Sequence, residues 1–226
     1  MTKFLNAARD NQHATFHGKR EAMAKLIAID AQFVKVSNYW LNPKSEIEAM
    51  LFLRCHAAFR TAAGLAMAGQ MVEVCVQNRA MMENAGYSVH IHRNRALEKV
   101  WLDRHKSATD LKASRKAFRH EDVVASVTAA NKHAGGRFED MYQQMIDWGG
   151  HPNERSVTGN MEMIEEENRR VMLAIMLHGD GLQLDYALKV VAQCGLISLE
   201  MMETVYPEKF ELLGIRAAML ELRKGL

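Results

Sequence analysis

One short segment, residues 147–156, gathers side chains that could do chemistry; it reads Asp-Trp-Gly-Gly-His-Pro-Asn-Glu-Arg-Ser. The glycine pair predicts the end of a helix, because glycine readily adopts the conformations that terminate helices. Pro152 fixes its own φ and restricts His151 to an extended conformation. The imidazole of His151 is therefore held in place, which suits either proton transfer or a structural contact between helices.

A catalytic role for His151 would need partners from the same region. As a general acid or base, it would act with Arg79 or Arg155 stabilising a developing anion. Tyr142 or Asp147 would then orient the imidazole. No spacing in the sequence brings a nucleophile and a base together. We therefore favour the structural role, in which the ring of His151 hydrogen-bonds a neighbouring helix.

Four residues are candidate binding residues. Arg79 and Glu83 are one helical turn apart, which fits either an exposed ion pair or a partly buried polar anchor. Arg54 falls in a helical stripe of apolar residues, where burial of an unpaired guanidinium would be costly. Either Arg54 has a partner, or the buried face of this helix is a different one. We predict a partly buried cluster of Arg54, Arg79 and Glu83. Asn153 is expected to cap the turn that follows His151.

The sequence predicts neither a metal site nor a cofactor. His13 and His17 have the i,i+4 spacing of helical zinc ligands, but they lack an intervening glutamate and a third ligand nearby. The glycine motifs of dinucleotide sites and P-loops are absent, because Gly64 and Gly69 follow no predicted strand.

Charge is distributed unevenly although the net charge is only +2. Residues 93–119 hold nine Lys and Arg against three Asp and Glu, whereas residues 139–167 hold eight acidic residues against Arg155 alone. The basic segment could track RNA phosphates, with Trp101 or Phe118 stacking on a base. The alternative, which we favour, is that both segments face solvent or each other and that the aromatic residues are core anchors.

Composition indicates a cytoplasmic, soluble protein. The three cysteines, Cys55, Cys75 and Cys194, are odd in number and lie among apolar neighbours, which favours free thiols in a reducing compartment. The longest uncharged run, Thr61–Val72, is far shorter than the roughly 20 residues that span a bilayer. No membrane association is expected, and a homo-oligomer is left open.

These residues must be positioned by helices, because three prolines and 16 methionines in 226 residues favour long helices. The expected fold is mainly α, an antiparallel multi-helix bundle forming one domain over residues 1–226, with residues 1–18 loosely ordered. Alternating residues predict one short β-hairpin near residues 160–178, although a helix is the competing interpretation. The predicted helices cover residues 19–40, 45–69, 70–89, 94–105, 111–133, 137–148, 180–205 and 207–226.

Three stretches carry a resemblance to a known group of proteins: 78–84 (NRAMMEN), 101–104 (WLDR) and 142–153 (YQQMIDWGGHPN). Over residues 49–153 the chain resembles uncharacterised bacterial all-helical proteins that are distantly similar to the HEPN superfamily. That superfamily includes metal-independent ribonucleases as well as non-catalytic nucleotide-binding and assembly modules. The resemblance therefore implies a helical fold and leaves the function open.

The ribonuclease members of that superfamily use an arginine followed four to six residues later by a histidine. Upstream of His151 the corresponding window holds no arginine. A match does occur at Arg115 and His120, but these side chains diverge by about 140° on a continuous helix. We therefore expect a non-catalytic binding or assembly module, and the alternative is a HEPN-like metal-independent ribonuclease or nucleic-acid-binding protein.

Overall fold

The computed structural model describes residues 1–38, 45–167 and 169–226, and over these residues the chain is mainly α with one two-stranded sheet. The helices are α1 (Thr2–Gly18), α2 (Arg20–Asn38), α3 (Glu46–Ala68), α4 (Met71–Arg93), α5 (Ala96–Leu102), α6 (Ala108–Ala117), α7 (His120–Ala130), α8 (Lys132–Met145), α9 (Glu154–Thr158), α10 (Leu182–Glu203), α11 (Pro207–Leu212) and α12 (Ile215–Leu222). The strands are β1 (Met161–Glu166) and β2 (Arg169–Ala174), which pair antiparallel. The predicted helical fold and hairpin are both confirmed.

Helix α10 lies at the centre of the bundle and packs against α2, α3, α4 and α8. Buried apolar residues, including Leu188, Leu196 and Met201, lie on more than one face of α10. The helix is therefore surrounded by other helices rather than buried along a single stripe. Phe33 of α2 and Phe59 of α3 belong to the same core cluster. All three cysteines are buried there as free thiols.

The buried face of α3 differs from the predicted one. Phe52, Cys55 and Phe59 face the core, so the buried stripe is rotated relative to the one that includes Arg54. Arg54 is exposed and makes no hydrogen bond or ion pair with any residue that the structure describes. Its predicted membership of a polar cluster is therefore wrong, because α3 is rich in alanine and has apolar residues on several faces.

Small residues on α3 admit two neighbouring helices. Helix α4 packs antiparallel against it, as predicted. Helix α1 packs on the same helix through polar contacts: Gln12 Nε2 donates to the carbonyl of Gly64 at 2.9 Å, and Thr15 Oγ1 donates to that of Met67 at 3.0 Å. The expectation that residues 1–18 are loosely ordered is wrong, since backbone carbonyls of α3 give α1 fixed partners.

Predicted helix boundaries fail where a buried aromatic, a capping asparagine or a glycine intervenes. The helix expected over 111–133 is divided among α6, α7 and the first residues of α8, because Phe118 turns inward to pack with Ile47, Leu51 and Ile91, and Asn131 caps α8. The last predicted helix is likewise divided, at Gly214, whose φ of 66° is left-handed. The predicted end of the helix over residues 19–40 lies outside the described residues.

Candidate functional site

Arg79 is the centre of a polar cluster between α4, α8 and the segment after α8. Its Nε donates to Glu83 Oε1 at 3.0 Å and to Tyr142 Oη at 3.1 Å, and its Nη1 donates to the carbonyl of Gly150 at 3.0 Å. Tyr142 Oη in turn donates to Glu83 Oε1 at 2.8 Å. The Arg79 and Glu83 side chains are only 29% and 35% exposed. Of the two alternatives left by the sequence, the partly buried anchor is the one observed.

The pKa shifts in this cluster favour a structural role over a role in proton transfer. Burial, together with the hydrogen bond to Glu83, raises the pKa of Tyr142 well above its usual value. Burial alone would lower the pKa of Arg79, but the neighbouring Glu83 carboxylate outweighs it, and the pKa is raised. At neutral pH the Arg79 guanidinium is therefore charged and the Tyr142 phenol is neutral, and both donate to the Glu83 side chain.

The segment that Arg79 holds has a constrained backbone. One π-helical turn, Ile146–Gly150, follows α8, and within it Gly149 has a φ of 152°. A Cβ at Gly149 would lie 2.9 Å from both Cγ1 and the carbonyl oxygen of Val72. Only glycine fits there, because the backbone conformation and the contact with α4 both exclude a side chain.

Asn153 is a capping residue, as predicted, but it caps the short helix α9 rather than a turn. Its Oδ1 accepts from the backbone amide of Ser156 at 2.9 Å, and Ser156 Oγ accepts from the amide of Asn153 at 3.1 Å, which completes a capping box for α9. The Nδ2 of Asn153 also donates to the carbonyl of Ile146 at 2.9 Å. Asn153 thus closes the turn on which His151 lies.

His151 faces solvent. Its side chain is exposed, and no hydrogen bond or ion pair joins it to any residue that the structure describes, so the predicted structural contact is wrong. The catalytic candidates also fail to converge. Tyr142 is buried in the Arg79 cluster, Asp147 is exposed, and the Arg155 guanidinium lies over the ring of Trp148, 5.4 Å from its centroid.

His120 is the histidine that joins the cluster, although the sequence predicted it within a continuous helix, turned away from Arg115. Its ring stacks on Tyr142 with centroids 3.8 Å apart and planes inclined by 15°. Its Nε2 lies 2.7 Å from Glu139 Oε2. The pair lines an open surface cavity of about 560 Å³, together with Arg119, Glu121, Val124 and Ala125. The predicted continuous helix hid this arrangement, since His120 is the first residue of α7.

The basic segment 93–119 uses much of its charge internally. Lys99 and Lys106 both pair with Asp103, at 2.6 and 2.7 Å, and Arg95 pairs with the buried Glu48 at 2.6 Å. Phe118 is buried in a small apolar cluster, against which Trp101 packs. The suggestion that Phe118 stacks on a base is therefore wrong, whereas its interpretation as a core anchor is confirmed.

The hairpin projects from the bundle. Every described residue of β1 and β2 is exposed except Val171, which is half-buried. At its base, Ile175 N donates to the carbonyl of Asn160 at 2.7 Å, and His178 N donates to that of Gly69 at 2.9 Å. The strands are thus held to the bundle at their base and free along their length.

Exposed apolar side chains concentrate in and around this hairpin. Of the nineteen large apolar residues that are exposed in the described part of the chain, nine lie between residues 148 and 182. They are Trp148, Val157, Met161, Met163, Ile164, Met172, Leu173, Met176 and Leu182. Contiguous apolar surface on a protein marks an interaction site more often than a single exposed residue does.

Comparison of the chain with known protein families, with curated proteins and with solved structures finds no match. In the part of the chain that the structure describes, no helix combines the length and apolar character needed to cross a membrane.

Proposed function

We propose that this protein is a non-catalytic binding or assembly module and that the hairpin, residues 160–175, is its principal contact surface. The observation that carries the proposal is the concentration of exposed apolar side chains on a structure that projects from an otherwise well-packed bundle. A two-stranded hairpin alone is marginally stable in water, and binding a partner would cover its apolar side chains.

The Arg79 cluster supports this function by fixing the approach to the hairpin. Arg79 holds Gly150, and Asn153 then holds Ile146 and caps α9, whose last residue is three positions before β1. On the other side, His178 is hydrogen-bonded to the helix cap at Gly69. Both ends of the segment 146–178 are thereby tied to the bundle, so a partner would meet a contact surface with a defined orientation.

Removal of the hairpin tests the proposal. Asn160 and Ile175 are joined by a backbone hydrogen bond, so a two-residue Asn-Gly link can replace residues 161–174. We expect this shortened chain to keep the helical circular dichroism and the melting temperature of the full chain. It should lose self-association and the capture of proteins from a lysate. A shortened chain that keeps all the associations of the full chain would overturn the proposal.

A second function, that of a HEPN-like metal-independent ribonuclease, is favoured by two observations. Helix α6 ends at Ala117 and α7 begins at His120, so Arg115 and His120 do not lie on one continuous helix. The His120 and Glu139 pair also borders an open cavity in which a proton could be transferred. Cleavage of single-stranded RNA by the full chain, abolished by His120→Ala and Arg115→Ala, would establish this function instead. Absence of cleavage and of RNA binding at low salt would remove it.

The proposed compartment is the cytoplasm. Its support is the burial of Cys55, Cys75 and Cys194 as free thiols, since unpaired cysteines persist in reducing compartments. Alkylation of the three thiols in denaturant, on protein purified under non-reducing conditions, tests it, because disulfide-linked chains would contradict it.

A further inference from the structure

The two faces of the hairpin carry different side chains. Residues opposite each other in the register share a face, and successive residues along a strand alternate between faces. Met161 pairs with Ala174, Met163 with Met172 and Glu165 with Arg170, so these six residues form one face. We call the apolar part of it, Met161, Met163, Met172 and Ala174, the methionine face. The other face mixes Glu162, Glu166 and Arg169 with Ile164, Val171 and Leu173.

The methionine face is open along its length. Met163 is 56% exposed and Met172 is 65% exposed, although the two lie side by side. Unbranched thioether side chains adapt to a facing surface, and methionines are common where proteins bind partners. A single charged pair, Glu165 and Arg170, closes the tip of this face.

That charged pair makes the face complementary to a copy of itself. A two-fold axis parallel to the strands would place β1 of one chain opposite β2 of the other. Met163 would then face Met172 of the second copy, and Glu165 would face Arg170 of the second copy, twice in each dimer. Two-fold interfaces are self-complementary in this way.

The side chains that would make these reciprocal pairs are available. Glu165 and Arg170 lie 3.2 Å apart within one chain, and both side chains are about three-quarters exposed (75% and 76%). An ion pair that exposed adds little to the stability of a single chain, so nothing prevents its members from pairing across an interface. The charged tip also disfavours a lipid bilayer as the occupant, since these ions would have to enter before the apolar residues.

We propose that the methionine face is a homodimer interface, in which two hairpins pack face to face and each Glu165 pairs with Arg170 of the second copy. The inference rests on the proposed function and adds the identity of the partner, a second copy of this chain.

Charge reversal at the two positions tests the interface. In sedimentation equilibrium, Glu165→Arg alone and Arg170→Glu alone should each raise the dimer dissociation constant by at least about tenfold, because like charges would face each other. A one-to-one mixture of the two variants should recover dimers, as every cross-chain pair is then opposite in sign. Repulsion within each chain persists in the mixture, so recovery reports the contact between chains.

The matched control is Glu166→Arg, which makes the same charge change one residue away on the opposite face. Glu166 pairs with Arg169 as Glu165 pairs with Arg170, so damage to the hairpin itself would be similar. We expect this variant to dimerise like the unaltered chain.

Three results would overturn the inference. The unaltered chain could remain monomeric up to its solubility limit, the control could weaken the dimer as much as Glu165→Arg does, or the mixture of variants could stay monomeric. None of them decides the proposed function by itself, because loss of lysate partners on removal of the hairpin would still indicate a contact surface for a different protein.

Discussion

Arg79 donates a hydrogen bond to the main-chain oxygen of Gly150 at 3.0 Å, and this contact joins the middle of α4 to the segment after α8. The two residues are 71 positions apart in the sequence. Because the same guanidinium also binds Glu83 and Tyr142, its position is fixed from three directions.

Replacement of Arg79 by alanine should destabilise the fold. Glu83, Tyr142 and the Gly150 carbonyl would each lose a donor, and the loss of these hydrogen bonds in a partly buried cluster costs about 1–3 kcal/mol. Arg54→Ala is the matched control, since this arginine is exposed and should change the free energy of unfolding by less than about 0.5 kcal/mol. Urea denaturation measures both variants. Equal effects at the two positions would contradict the role assigned to Arg79.

Replacement of Gly149 by alanine should cost about 1–3 kcal/mol, because the new Cβ would meet Val72 and the residue would keep a strained backbone conformation. Gly136 in α8 is the control. It is exposed, a Cβ there meets nothing within 4 Å, and Gly136→Ala should stabilise the helix by about 0.5–1 kcal/mol. Thermal denaturation should therefore show shifts of opposite sign for the two substitutions.

Acidification should destabilise the protein through His56. Burial lowers the pKa of His56, and the hydrogen bond to Asp30, 2.6 Å away, offsets only part of this effect. The unfolded chain therefore binds a proton near pH 6.5 while the folded chain resists it, so stability falls as the pH drops below about 6.5.

The variant His56→Gln isolates this contribution. As the pH falls from 7 to below about 6.5, the free energy of unfolding of this variant should decrease less than that of the unaltered protein. His151→Gln, which removes an exposed histidine, should retain the pH dependence of the unaltered protein. Parallel curves for all three proteins would exclude His56 as the source.

The cysteines should be almost unreactive in the folded protein. Burial raises the pKa of Cys75 to about 11 and that of Cys55 to about 12, so little thiolate forms at neutral pH. Their reaction with a disulfide reagent should be at least about 100-fold slower than in denaturant. A cysteine introduced at the exposed Thr109 should react promptly and serves as the control. Fast labelling of a native thiol would indicate local opening.

Sequence patterns predicted those features that depend on neighbours along the chain. The alternation from Met161 onward identified the hairpin, and the residues around Asn153 identified it as a capping residue, although the predicted turn is the helix α9. Arg79 and Glu83 were recognised as a pair because four residues make one helical turn. Their shared partner, Tyr142, lies on another helix, so only the folded chain specifies whether the pair is buried.

The failures concern choices that local patterns leave undetermined. Helix α3 has apolar or small residues on most of its faces, so nothing local distinguished the face of Arg54 from that of Phe59. His120 joins the Arg79 cluster because Phe118 breaks the helix and turns inward, and that depends on a cavity formed by α3 and α4. The sequence correctly indicated a constrained backbone at His151. It did not indicate the direction of the ring, which faces solvent.

The central position of α10 has a consequence for synthesis of the chain. The apolar faces of α2, α3 and α4 have their common partner only once residue 203 has been added. At about 5–20 residues per second, the interval between completion of α4 and of α10 lasts roughly 5–20 s. During that time the nascent chain presents an uncovered apolar surface to the ribosome and to chaperones. A message truncated before residue 182 would yield a degradation substrate rather than a smaller working protein.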